Sequence, residues 1–185
     1  MPQSKILVDT NSYLRLAKNI HPLLFIPFGD DNYCLYVIDE LNTELKNKRL
    51  ASKFPWVSEE AYVENRESTP TISRKQRTSI QETFEYVWSA VLTDFPGPSK
   101  VDALYIAYAI ELDVPVITDD QDMTVLAEAF EVRVMPTLEL MKIMLDAEHL
   151  TSDKVESIIA YWQYIGDKPA NFERDYERFF GEISR

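Results

Sequence analysis

Cysteine is almost missing from this chain, and histidine nearly so: Cys34 stands alone, and the two histidines are His21 and His149. A single cysteine excludes an intramolecular disulfide and suits a reducing compartment. With so few thiol and imidazole ligands, a zinc centre is not to be expected. Glycine is scarce too, four in 185 residues, and no glycine-rich phosphate loop is present. That argues against a nucleoside-triphosphate enzyme. No apolar run approaches the roughly 18 residues that span a bilayer. The amino-terminal stretch MPQSKILVDTNSYL lacks the long apolar segment of a secretion signal. A soluble, cytoplasmic protein without a membrane partner is expected. Positive charge is the last shortage: 19 Lys and Arg against 31 Asp and Glu leave a net charge of −12. Such a balance speaks against nucleic acid, whose phosphates favour basic surfaces. The objection weakens if acids are clustered to hold cations, or if the bases are concentrated. They are partly so, in Lys46, Lys48 and Arg49 and again in Arg74, Lys75 and Arg77.

What is present is an alternation of short apolar runs and helical patterns. KILV (5–8), CLYVI (34–38), VPVIT (114–118) and VRVM (132–135) read as buried strands. After the first, Asn11 and Ser12 are candidate caps for a helix that His21-Pro22 stops, because the residue before proline is pushed out of the α region. After the second, DELNTELKNKRLASK predicts one helix with Leu41, Leu45 and Leu50 on a common face. Residues 54–72, with Pro55 and Pro70, suggest helix fragments and loop. A helix over 73–91 is marked by Ile80, Phe84, Val87, Trp88 and Val91. FPGPS breaks the chain before KVDALYIAYAIEL, a strong helix carrying Val101, Leu104, Ile106, Ala107 and Ile110, and MTVLAEAF is a further helix. From Pro136 onward the pattern is helical throughout. The alternation predicts an α/β fold with a central, mainly parallel sheet. Residues 1–148 form the expected domain, and 149–185 a helical extension packed on it.

In open parallel sheets ligands bind at the carboxyl ends of the strands. Asp9 ends the first predicted strand, and Asp119, Asp120 and Asp122 follow the third. Asp102 opens the helix before the third strand, while Glu40 and Glu44 share a helix face after the second. Each has a plain explanation alone: Asp119 to Asp122 as a polar turn, Asp102 as partner of Ser99 in a capping box, Glu44 as half of an i,i+4 pair with Lys48. Acids from distant segments converging on one sheet edge are a more specific signal than any one of them. An all-oxygen cluster of this kind suits Mg²⁺ or Mn²⁺. Such a metal activates water and polarises phosphorus, which is what phosphodiester hydrolysis requires.

The three stretches ILVDTNSYL, YVIDELNTELKNK and VDALYIAYAIELDVPVITDDQDM together resemble the PIN-domain ribonucleases. The family's first acid followed by Thr or Ser matches Asp9-Thr10, and its acid opening an aspartate-alanine helix matches Asp102-Ala103. Its fourth acid, after Thr and one variable residue, matches Asp120 behind Thr118, with Asp122 as an auxiliary. The second acid precedes Leu, which both Glu44-Leu45 and Glu40-Leu41 satisfy; Glu44 is preferred. VMPTLELM further resembles PIN proteins in which a threonine-leucine helix follows the last strand. The resemblance covers about residues 4–145. It implies a three-layer α/β/α fold and Mg²⁺- or Mn²⁺-dependent cleavage of RNA. It also implies, as in many small members, a toxin that is dimeric and silenced by an antitoxin protein. In that frame Asp9, Glu44, Asp102 and Asp120 are catalytic. Asp9, Asp102, Asp120 and Asp122 hold metal, and Thr10, Asn11 and Thr118 orient carboxylates or water. Arg74, Lys75 and Arg77 would meet the RNA backbone or simply form a solvated helix start. The length, the acidity and the helices beyond 150 depart from compact toxins.

Three other functions compete, one of them a structure-specific DNA nuclease of related architecture, which would need a helical arch and a more basic surface. A non-catalytic scaffold or regulatory binding protein would keep the fold and lack activity. A phosphotransfer receiver domain needs a late Lys, and none closely follows VRVM. The aromatic tail, Tyr161 to Phe180, is expected to serve packing or an oligomer interface.

Overall fold

In the computed structural model, which describes residues 3–67 and 69–181, the predicted alternation becomes a four-stranded sheet. Strands β1 (Ser4–Val8), β2 (Tyr33–Tyr36), β3 (Val116–Ile117) and β4 (Val134–Met135) stand in the order β2-β1-β3-β4, every pair parallel. A parallel sheet needs crossovers, and here they are helical. Helix α1 (Thr10–Leu16) lies between β1 and β2. Then α2 (Glu40–Glu44), α3 (Lys48–Lys53), a 3-10 turn (Pro55–Ser58), α4 (Glu60–Glu67), α5 (Arg74–Thr93) and α6 (Lys100–Leu112) lead to β3. Helix α7 (Gln121–Ala129) joins β3 to β4, and α8 (Thr137–Asp146), α9 (Ser152–Ile165) and α10 (Phe172–Phe180) follow.

Because strand side chains alternate, the sheet feeds two cores. Ile6, Val8, Leu35, Val37, Ile117 and Met135 point into one, shared with α1, α8, α9 and α10. Leu7, Cys34, Tyr36 and Val116 point into the other, shared with α5, α6 and α7. Helices on both faces of a parallel sheet make this an α/β/α arrangement, as predicted. Trp162, Phe172 and Phe180 belong to the first core, so the aromatics of the carboxyl-terminal helices pack inward. Each such side chain contributes about 1.5–3 kcal/mol by leaving water. Tyr164, 89% exposed, is the exception.

Several boundaries differ from the sequence expectation, each for a local reason. The cap of α1 is Asp9, not Asn11 or Ser12: its Oδ1 accepts the Ser12 amide at 2.6 Å. That helix ends at Leu16, well before His21-Pro22, whose peptide bond is cis. The helix expected over 39–53 is two. Asn47 turns extended, and its Oδ1 accepts the Arg49 amide at 2.9 Å, starting α3 afresh. Asparagine competes with the helix backbone in this way. Leu41 and Leu45 are buried as expected, while Leu50 is only half-buried. In α6 only Ile106 and Ala107 of the predicted stripe are buried, joined by Ala103, Tyr105, Tyr108 and Ala109, while Val101, Leu104 and Ile110 are half-buried. Strands β3 and β4 keep only two residues each.

Candidate active site

The strand ends set the site. Asp9 N–H donates to Ile117 O and Thr118 N–H to Met135 O, both at 3.0 Å, so the residues leaving β1 and β3 lie side by side. Asp9, 4% exposed, receives the Ser12 amide on one oxygen and the Thr118 hydroxyl, at 2.6 Å, on the other. Burial nevertheless pushes its carboxyl up to about 6; the hydrogen bonds from Thr118 and Ser12 oppose that rise, and Asp119 adds to it by repulsion.

Thr118 also accepts the Asp120 amide at 3.1 Å, so one hydroxyl ties two of the acids to the same turn. Asp120 caps α7, its Oδ1 accepting the Met123 amide at 2.8 Å. Asp122 sits exposed in the first turn of α7 against Gly97. A Cβ on Gly97 would lie 2.5 Å from Asp122 Oδ2, so the loop before α6 admits only a glycine while Asp122 keeps this position. Asp119, just before Asp120 in the chain, does different work. It accepts the Thr137 amide at 2.9 Å, the Thr137 hydroxyl at 2.5 Å and the Arg15 guanidinium at 3.1 Å. The three acids of DDQD therefore divide: one is bound inward, and two remain at the edge.

On the other side, Glu44 accepts a short hydrogen bond from the Thr10 hydroxyl. Its carboxyl is raised by burial, lowered by Thr10 and raised again by Asp102. Asp102 occupies the capping box of α6. Its Oδ2 accepts the Ser99 amide at 2.7 Å, and its own amide donates to Ser99 Oγ. Burial raises this carboxyl, the Ser99 bonds lower it, and Asp120 and Asp122 raise it. Electrostatic coupling thus runs from Glu44 to Asp102 and on to Asp120 and Asp122. Tyr105 links this group to Asp9. Its phenol is fully buried, makes no well-formed hydrogen bond among the described residues, and is held well above its ordinary range by burial, then by Asp9, with the Ile38 backbone opposing and Glu44 and Glu40 adding.

Glu40, the competing register for the second acid, sits one turn back. Its carboxyl is raised by burial and by Asp39 and lowered by its own backbone amide and by Arg77. Its Oε2 is buried without a partner. Glu44 is the residue coupled to Asp102, which favours the preferred register. Asn11 is exposed and makes no side-chain hydrogen bond among the described residues. Arg74 and Lys75 are exposed at the start of α5, and only Arg77 of that cluster reaches the acids electrostatically, through Glu40. The supporting role of Ser12, Thr137 and Arg15 is not visible in the motifs, although Thr137 is the threonine of the threonine-leucine pattern.

Among the described residues, no three Asp, Glu, His or Cys side chains stand in an arrangement that already grips a metal ion. The donor chemistry nevertheless suits a hard divalent cation. Asp102 Oδ1, Asp120 Oδ2 and Glu44 Oε1 carry no hydrogen bond among the described residues, while each partner oxygen is anchored. Each carboxylate is thus held by one oxygen with the other free. No family model matches the chain, and no curated protein or solved structure is significantly similar to it.

Proposed function

We propose that the chain is a PIN-type endoribonuclease that hydrolyses RNA phosphodiester bonds with Mg²⁺ or Mn²⁺. The observation that carries this reading is the electrostatic coupling of Glu44, Asp102, Asp120 and Asp122, from three separate helices, at the edge where Asp9 ends the central strand. Carboxylates in contact repel by about 1–4 kcal/mol per pair, depending on the effective dielectric. A fold that holds Asp9, Glu44 and Asp102 wholly or partly buried beside Asp120 and Asp122 carries a cost that a bound cation removes. Asp9, Asp102, Asp120 and Asp122 would hold the metal, directly or through water, with Glu44 completing the set. When bound, the metal supplies an activated water and charge neutralisation at phosphorus. Thr10 and Thr118 fix the rotamers of Glu44 and Asp9, and Ser99 fixes Asp102, so the acids are oriented in advance. The toxin role, an antitoxin partner, a homodimer and a cytoplasmic location belong to the same proposal and rest on the motif resemblance. Among the described residues no helix is long and apolar enough to cross a membrane.

A non-catalytic scaffold draws on one observation, that no ready-made metal grip exists among the described residues. Cleavage of a mixed RNA pool with Mg²⁺ or Mn²⁺ separates the two. The nuclease predicts metal-dependent cleavage by the wild type that falls by on the order of 10²–10³-fold in both Asp9→Asn and Asp120→Asn. Cleavage persisting in both variants would locate the activity elsewhere. Mn²⁺ should also raise the melting temperature of the wild type by mass action. A folded wild type that neither cleaves nor responds to metal is the scaffold.

A further inference from the structure

Beside the acids, two clefts of mixed charge border a basic segment of chain. A cleft of about 480 Å³ is bounded by Glu44 and Val101 and reaches Lys46. A second of about 280 Å³ lies between Asn11, Arg49 and Lys53. Asn47 and Leu50 line both, so the two clefts adjoin along α3 as a channel whose near end meets the acid edge at Glu44. The segment 45–58 holds Lys46, Lys48, Arg49 and Lys53 and no Asp or Glu, in a chain with 31 acids. Lys46, Lys48 and Arg49 are exposed, and among the described residues no ion pair or side-chain hydrogen bond engages them. Lys53 faces Asp167 at 3.5 Å, which closes the far end of the channel. Exposed cations grouped beside the acids have the charge to meet a phosphate backbone. Their neighbours in the channel are the side-chain amides of Asn11 and Asn47, which donate and accept. Each cleft is close to or within the volume range of sites for molecules of nucleotide size.

We propose that the α3 channel is the phosphate track of a single RNA strand. Lys46, Lys48 and Arg49 meet its backbone, Asn11 and Asn47 its sugars or bases, and the strand passes Glu44 to reach the acids. This rests on the nuclease reading for the fate of the strand, and on the channel alone for its binding. The Arg74-Lys75-Arg77 cluster, approached only through Glu40 and the exposed start of α5, is secondary.

The test is binding of a fluorescein-labelled mixed-sequence single-stranded RNA 12-mer in EDTA, followed by anisotropy at several salt concentrations. K46A/K48A/R49A should weaken binding about ten-fold and reduce the salt slope by about 2, the value for three phosphate contacts on a single strand. The control K142A/K154A/R178A removes the same charge from α8, α9 and α10 and should leave both within two-fold. Wild-type affinity in the α3 variant, an equal loss in the control, or no binding by the wild type overturns the track. Cleavage of the same 12-mer with Mn²⁺ is scored separately. A wild type that binds through α3 without cleaving removes the nuclease reading and leaves the track. One that cleaves with binding indifferent to α3 does the reverse.

Discussion

Helices α5 and α6 pack against each other and begin with the same device. Ser73 and Gln76 form a capping box on α5, and Ser99 and Asp102 form one on α6. Beyond the cap they diverge. The first turn of α5 carries Arg74, Lys75 and Arg77 and no acid, against the helix dipole, which favours negative charge there. The first turn of α6 carries an acid as the dipole prefers, yet this acid is half-buried and pushed up by burial, with repulsion from Asp120 and Asp122 adding to the shift. A neutral glutamine completes the box at α5, so capping alone does not require a carboxylate at 102. What distinguishes the two helix starts is the company each keeps: at α6 a carboxylate faces other carboxylates, whereas at α5 Arg77 faces Glu40.

The sharpest way to break this contrast is to exchange the two box residues. Asp102→Gln should retain the α6 cap, with stability changed by no more than about 1 kcal/mol. It should also lower RNA cleavage by on the order of 10²-fold or more. Gln76→Asp should leave cleavage unchanged. If both substitutions behave alike in a cleavage assay, Asp102 is only a cap.

A second effect tests whether acid burial costs stability at this edge. The Asp9 carboxyl is raised from 3.8 to about 6, so the folded state holds this proton more tightly than the unfolded chain. Its stabilising contribution is complete below the ordinary value and lost as pH climbs through about 6. Above that the ionised group is unfavourable by about 3 kcal/mol. Glu44 and Asp102, also raised, slope the same way. In EDTA, urea denaturation of the wild type should therefore show stability falling between pH 4 and 7. Asp9→Asn should flatten that fall and exceed the wild type by up to about 3 kcal/mol at pH 8. Parallel pH profiles for the two proteins would contradict the assignment.

The smallest effect concerns Tyr105. Among the described residues its buried hydroxyl makes no well-formed hydrogen bond, although the Ile38 backbone lowers its pKa, and such groups cost about 1–3 kcal/mol. Tyr105→Phe should stabilise the metal-free protein by about 1 kcal/mol by thermal melting. A destabilised variant would mean that the hydroxyl already has a partner in solution.

Much of this was legible because it is local. The apolar runs ending at Asp9 and Thr118 announced strand ends, and Ser99-x-x-Asp102 announced its box. The sharing of labour within DDQD was not. Asp119 is distinguished from Asp120 by Arg15, 104 residues away, and by Thr137, 18 residues on, and no window of sequence contains those partners. The break between α2 and α3 was hidden for the opposite reason. Leu41, Leu45 and Leu50 keep nearly helical spacing across it, and Asn47's local hydrogen bond overrides the pattern.

Arg15 gives the molecule a mechanical property that its sheet order does not suggest. Its guanidinium meets Asp119 at 3.1 Å and Asp167 at 3.7 Å, and its carbonyl accepts the Trp162 indole at 2.9 Å. One residue of the first helix is therefore a rivet joining the end of α9 to the loop that carries the edge acids. Shortening the chain before Trp162 would strip two of the rivet's attachments and leave Asp119 with a freer partner. Amide exchange in that loop should accelerate first, ahead of the central strand.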